Sequence, residues 1–160
     1  KDSTLWACLA VMALADKELS TAEVAFAAID EVAKLQYVLT IKEIPTSEGR
    51  NAELALWRRR PDEAEAILLQ AGLIYRAIDM HMRLFHWDRA LDLAVHHKTH
   101  VDTVLAFRER YLKGLGREED GPRFLQYREG VTIDWEKINQ KVAKEKENES
   151  QRQGARPYQE

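Results

Sequence analysis

The chain has 160 residues, of which 45% are hydrophobic and 32% charged, and a formal net charge of -3. That length and apolar share suffice for one sizeable core, and the charge balance excludes a global attraction to nucleic acid or to an anionic membrane. Cys8 is the single cysteine, so an intrachain disulfide is excluded and a reducing, intracellular compartment is the simpler reading. The sequence shows no signal peptide and no apolar run of about 18 residues, the minimum for a membrane span.

The chain opens into LWACLAVMALA without an initiator Met, as if cut from something longer. Leu5, Cys8, Leu9 and Met12 mark one face of a first helix, but Trp6, Val11 and Leu14 make it apolar nearly all round. Cover on more than one side is therefore expected. Asp16-Lys17-Glu18 breaks the run, and Ser20 with Glu23 has the spacing of a capping box at the head of a second helix, which continues to about Ile29. Asp30 is placed to cap a third, with Val32, Leu35 and Leu39 as its stripe, ending at Ile44-Pro45 because the residue before a proline leaves the α region.

Thr46 and Ser47 offer caps for a fourth helix that carries Leu54, Ala55 and Trp57 and finishes in Arg58-Arg59-Arg60. Pro61 ends that helix and starts the next at its favoured first position. Asp62, Glu63 and Glu65 bring negative charge to the positive end of the new helix dipole. Ala64, Ile67, Leu68 and Ala71 recur at i, i+3, i+4 and i+7, and Trp87, Ala90, Leu91 and Ala94 repeat the spacing. Gly72 separates the first of these helices from one that runs through Phe85. Thr99 with Asp102 repeats the capping pattern at the head of a longer helix that ends near Gly114 and Gly116.

After Gly121-Pro122, Phe124, Leu125 and Tyr127 suggest one short helix, and Asp134 is placed to cap a last one carrying Trp135, Ile138 and Val142. From Lys144 the sequence has too few apolar residues to offset the entropy of ordering, so a disordered or frayed tail is expected over 144–160. No β pattern competes. Helices this short are marginal alone and must stack, and the fold class is therefore all-α: an irregular, TPR-like α-solenoid of short antiparallel helix pairs forming one domain over 1–143. Segments starting at Ala22, Ala64 and Ala90 share an apolar stripe, but their starts lie forty-two and twenty-six residues apart, which is no regular 34-residue array.

Three stretches carry a resemblance: WDRALDLAVHHKTHVDTVLAFRERYL at 87–112, DEAEAILLQAGLIYRAI at 62–78 and GVTIDWEKI at 130–138. Together they resemble the C-terminal helical region of the eighty-kilodalton subunit of intraflagellar transport complex B, within the family of WD40-propeller-plus-α-solenoid subunits, from Leu5 to about Val142. The resemblance implies two propellers ahead of this segment and a large assembly that moves along the ciliary axoneme with motors and cargo. It also implies partners among the other complex B subunits and a place in the cilium or flagellum and basal body, with a cytoplasmic pool. Relatives tend to carry a Gly-Asn or Gly-Asp turn before Glu63-Ala64, where this chain has Arg59-Arg60-Pro61-Asp62.

The residues themselves argue against catalysis. His81, His86, His96, His97 and His100 are concentrated in one stretch, and His96 and His100 have the spacing of a metal pair on a continuous helix. Thr99 reads as a new cap between them, however, and neither HExxH nor Cys-x-x-Cys is present. Gly114, Gly116 and Gly121 fit helix ends and no phosphate loop, and Cys8 on an apolar face reads as inert packing. We expect no enzyme activity, metal or cofactor, and a scaffold instead.

Arg58, Arg59 and Arg60, beside Trp57 and after Arg50, form the one candidate docking site, for an acidic protein surface. The plainer reading is a solvated complement to a helix C-terminus. Without a basic stripe or a base-stacking platform, nucleic acid is not expected, although a nucleic-acid-binding helical module using this cluster is the alternative reading. Trp6, Trp57, Trp87 and Trp135 are the natural interface anchors, but a tryptophan in a helical array is more often core, and none is singled out as a contact. The all-round apolar first helix is the expected adhesive surface, with a second copy of the chain among its candidate partners.

Overall fold

The computed structural model describes residues 2–157. It shows ten α-helices and, among the described residues, no strand. These are α1 (Ser3–Ala15), α2 (Leu19–Ala28), α3 (Val32–Lys42), α4 (Ser47–Trp57), α5 (Pro61–Gln70), α6 (Ile74–Arg83), α7 (Trp87–His96), α8 (Val101–Gly114), α9 (Pro122–Glu129) and α10 (Trp135–Ser150). The all-α class expected from the sequence is what forms.

One turn recurs. At Lys17, Asp30, Arg59, Phe85, Lys98 and Gly116 the backbone enters the left-handed region, with φ from 53° to 65°. The following N–H then reaches back to a carbonyl five residues earlier: Glu18 to Ala13 at 2.8 Å, Glu31 to Phe26 at 3.1 Å, Arg60 to Ala55 at 3.0 Å, His86 to His81 at 2.9 Å, Thr99 to Ala94 at 3.0 Å and Arg117 to Leu112 at 2.9 Å. This six-to-one bond is the Schellman closure, which satisfies carbonyls that a helix end leaves orphaned. Gly72 takes the same left-handed conformation at φ 72°. Arg59, Gly72, Phe85 and Lys98 follow one another at steps of thirteen residues, as Lys17 and Asp30 do. The buried positions keep that step: Ala64, Ala77, Ala90 and Thr103 are each 0% exposed. The twenty-six-residue offset seen in the sequence is two such steps.

The closure also explains three caps that do not form. Ser20 lies inside α2, whose N-cap is Glu18 with no side-chain bond, while Glu23 pairs with Lys42 at 2.6 Å. Asp30 is the left-handed turn residue, and Glu31 holds the N-cap position of α3. Thr99 spends its N–H on closing α7, so His100, itself left-handed, precedes α8, and Asp102 accepts from the Thr103 N–H instead. A three- or four-residue turn set by backbone bonds leaves no room for an extended capping residue. Where the preceding helix ends without a left-handed residue, side chains do cap: Thr46 accepts from the Gly49 N–H at 3.2 Å, and Asp134 accepts from the Glu136 N–H at 3.1 Å.

Where one domain was expected over 1–143, the chain forms two compact units, residues up to 71 with those from 149, and residues 72–148. In the first, α1 packs on α2, α2 on α3 and α4 on α5. Its core includes Ala10, Ala13, Ala22 and Ala25 beside Leu14, Phe26, Val38 and Ile41. The alanines let the helix axes approach, and burying each large side chain contributes about 1.5–3 kcal/mol. α3 is rotated from the expected stripe: Val38 and Ile41 are buried, whereas Val32 is 64% exposed.

Residues 144–150, expected to fray, continue α10 as helix. Glu149 is buried and accepts the Thr46 hydroxyl proton at 2.8 Å, and the Arg156 N–H donates to Pro45 O at 2.8 Å. Arg152 donates to Ala71 O. Gly49 makes room for this docking, since a Cβ there would stand 2.6 Å from Ile44 Cγ2. Polar bonds, absent from a hydropathy argument, thus hold residues 149–156. The expected tail's last residues, 158–160, lie outside the described residues.

In the second unit α6 packs on α7, α7 on α8 and α8 on α9, with Ile78, Leu91, Val104 and Ile138 fully buried. α10 joins through Trp135, whose ring lies 5.6 Å from that of Phe107, and through Lys141, whose Nζ is 3.0 Å from Asp102 Oδ1.

Because a non-glycine residue in the left-handed region costs about 1–2 kcal/mol and glycine loses about 0.5–1 kcal/mol more chain entropy, Lys98→Gly is expected to stabilise the chain by about 0.5–1 kcal/mol. Chemical denaturation followed by far-UV circular dichroism checks this, and an unchanged or lower midpoint would contradict it.

Candidate functional site

The three arginines singled out in the sequence are exposed at the α4–α5 turn, and the backbone gives each a different task. Arg58 is the C-cap residue of α4. Its Nη2 donates to Ala15 O at 2.9 Å and reaches Leu14 O at 3.5 Å, the carbonyls at the negative end of the α1 dipole. Arg59 is the left-handed residue, its side chain in solvent. Arg60 precedes α5 and pairs with Glu63 at 3.4 Å on the open surface, where such a pair contributes little. Arg50, expected to extend the patch, donates to Ile44 O at 2.6 Å. Trp57 lies against Tyr37 at 5.2 Å and remains 37% exposed. The structure therefore gives part of the basic cluster to helix ends.

The larger open feature is α1. Its buried residues are Ala10, Ala13 and Leu14, while Leu5 is 67%, Val11 65% and Met12 64% exposed. Among the described residues the cover expected on more than one side exists on one side only, because the small residues that let α2 close down lie opposite the exposed large ones. Cys8 is exposed on this outward face and not packed as expected. The signal was in the sequence, as a helix apolar all round, but periodicity could not say which arc would be buried.

The histidines do not converge. His81 is buried, with Nδ1 3.4 Å from His86 Nδ1. His96 ends α7 and His100 precedes α8, so the four-residue spacing spans a turn with two left-handed residues, Lys98 and His100. Among the described residues no group of three or more His, Cys, Asp and Glu is arranged to hold a metal ion, and no helix is long and apolar enough to cross a membrane. His100 itself is 2% exposed, 4.6 Å from the Tyr75 ring. Its Nδ1 is 3.4 Å from Thr103 Oγ1, and its Nε2 is 3.6 Å from Glu145 Oε1, beyond hydrogen-bonding reach. Burial holds its pKa below the ordinary 6.5, against the opposing pull of Glu145. Burial, then Asp79, likewise pushes the Tyr75 phenol up.

Residues 5–151 match the family described as the IFT80/172/WDR35/WDR19 TPR domain. The chain belongs to this family. It is 49% identical to the intraflagellar transport protein 80 homolog of Rattus norvegicus over 145 residues, which is 91% of this chain and 19% of that protein. The Mus musculus homolog is 48% identical over the same span. The intraflagellar transport protein 172 homolog of Drosophila melanogaster is 30% identical over 138 residues, 73% of this chain and 8% of that protein. The TPR-like class and the likeness to the eighty-kilodalton subunit, both read from the sequence, stand on these matches. The chain spans 19% of the length of the rat and mouse relatives.

Within this TPR-domain array the arginines are separable by stability. Arg58→Ala is expected to cost about 1 kcal/mol through the lost bonds to α1 carbonyls, whereas Arg59→Ala should change stability by less than about 0.5 kcal/mol. Thermal melts of the two single variants check this, and equal midpoints would contradict it.

For His100 the folded pKa lies below the unfolded one, so the unfolded chain binds the proton first and stability falls as pH drops below 6.5. His100→Asn, neutral and tolerant of the left-handed conformation, should flatten the dependence of the denaturation midpoint on pH below 6.5. An unaltered slope would contradict this.

Proposed function

We propose that the chain is a non-catalytic scaffold segment of an intraflagellar transport complex B subunit, supporting complex assembly and cilium formation. It acts in the cilium or flagellum and at the basal body, with a cytoplasmic pool, and it works by presenting helix faces to neighbouring subunits. The observation that carries the reading is the outward face of α1, where Leu5, Val11 and Met12 stay more than half exposed on a helix of which only Ala10, Ala13 and Leu14 are buried. A large apolar arc left to water marks a contact surface, and the relatives' names support a part in intraflagellar transport. The partners are other complex B subunits, with a second copy of the chain as a further candidate. Arg59 and Arg60, which hold no helix end in the way Arg58 does, supply the acidic-partner docking role of the arginine cluster. No enzyme activity, cofactor, nucleic acid or membrane insertion belongs to this role.

A pull-down from ciliated-cell extract, read by mass spectrometry, tests it with three baits: wild type, Leu9→Lys with Met12→Lys, and Arg59→Ala with Arg60→Ala. Wild type is expected to recover transport-complex subunits, the α1 variant to lose most of them at unchanged melting temperature, and the arginine variant to lose the acidic ones. Nuclease-sensitive recovery of nucleic-acid-associated proteins by wild type would replace the scaffold with a nucleic-acid-binding module.

A further inference from the structure

The second unit carries an aromatic groove that the scaffold reading does not use. At seven left-handed helix-ending turns the residue is Lys17, Asp30, Arg59, Gly72, Phe85, Lys98 or Gly116. Six are polar or glycine, and among the described residues only Phe85 is large and apolar. A bulky side chain is poorly suited to this conformation, and this one is not core, for it is 60% exposed with its ring stacked 5.0 Å from that of Tyr111. It forms one wall of a groove of about 500 Å³ in which Met82, Trp87 and Leu115 add apolar surface, Leu115 being 55% exposed.

The charge at this groove is one-sided. Its carboxylate, Asp79, is neutralised by Arg83 at 3.3 Å. Arg110 also lines the groove, with its guanidinium 4.6 Å from the Phe107 ring centre and 4.7 Å from that of Trp135. No carboxylate or other hydrogen-bond acceptor partners it among the described residues. Two rings therefore brace an exposed planar cation whose N–H donors hold no acceptor among the described residues, a group suited to bidentate recognition of a carboxylate.

We propose that this groove docks a short acidic and hydrophobic segment of a partner protein. A large apolar side chain of that segment lies against Phe85, Trp87 and Leu115, and an adjacent Asp or Glu is held by Arg110. The inference rests on the scaffold reading and names the chemistry of one partner.

The test is a phage-displayed library of random twelve-residue peptides, panned on the full chain. Selected clones are then measured as labelled peptides against wild type, Phe85→Lys and Arg110→Glu. Phe85→Lys installs at this turn the residue that turns 17 and 98 already carry, and Arg110 is exposed, so both variants should melt as wild type does. Enriched clones are expected to combine Phe, Leu or Trp with nearby Asp or Glu, and to bind each variant at least tenfold more weakly. Absence of enrichment, clones without acidic residues, or equal binding to all three proteins would overturn the proposal. So would a wild-type dimer in sedimentation that Phe85→Lys converts to monomer, since the groove would then belong to a second copy. Failure here with transport subunits still recovered by the extract pull-down would remove the groove alone. Failure of that pull-down with the peptides still bound would remove the transport assignment alone.

Discussion

A ten-residue helix ends with carbonyls that have no partner, and in this chain they are satisfied by turning one residue left-handed and folding the next N–H back across five positions. The rest of the array depends on that closure. Before α2, α3, α5, α7 and α8 it fixes the turn at three or four residues, it brings the chain back antiparallel at once, and it makes no demand on side-chain caps. With the turn fixed, the helices come at a thirteen-residue step, and the positions that face a neighbour come at the same step. Ala64, Ala77 and Ala90 are fully buried in this register. A larger residue at any of them would meet the packed neighbour at the point of closest approach.

How much of this was legible follows from what each signal measures. The helices were readable because the apolar stripes and the Pro61 and Gly72 punctuation report local conformation directly. The step of thirteen was hidden because its turn residues share a backbone angle and not a side-chain type. Lysine, aspartate, arginine, glycine and phenylalanine all occupy the same conformation. The capping motifs at Ser20, Asp30 and Thr99 misled for the same reason, since a backbone closure had already taken their role. The end of α10 was missed because composition counts apolar groups, whereas Glu149, Arg152 and Arg156 are held by hydrogen bonds to Thr46, Ala71 and Pro45.

For function the division runs between helix ends and helix faces. The arginine run is conspicuous as a string, but its first member caps α1 and its others diverge around a turn, so proximity in sequence overstated proximity in use. The first helix was legible in the opposite sense, its excess of apolar residues pointing to unfinished packing that the structure locates at Leu5, Val11 and Met12. Arg110 shows the reverse of Arg58: one is consumed by main-chain carbonyls, the other is braced by rings and left without an acceptor. In the scaffold proposed above, recognition lies in such leftovers of folding.

The fixed step also governs how the chain can change in length. Successive residues of a helix turn through about 100°, so deleting one residue from a helix of this array would rotate the side chains beyond it out of their seams. Removing or adding a block of thirteen, turn included, would return the following stripe to the same orientation. Relatives of this segment should therefore differ in length by whole helix-and-turn blocks, or at the longer connections before α9 and α10, and seldom by single residues inside the run from α4 to α7.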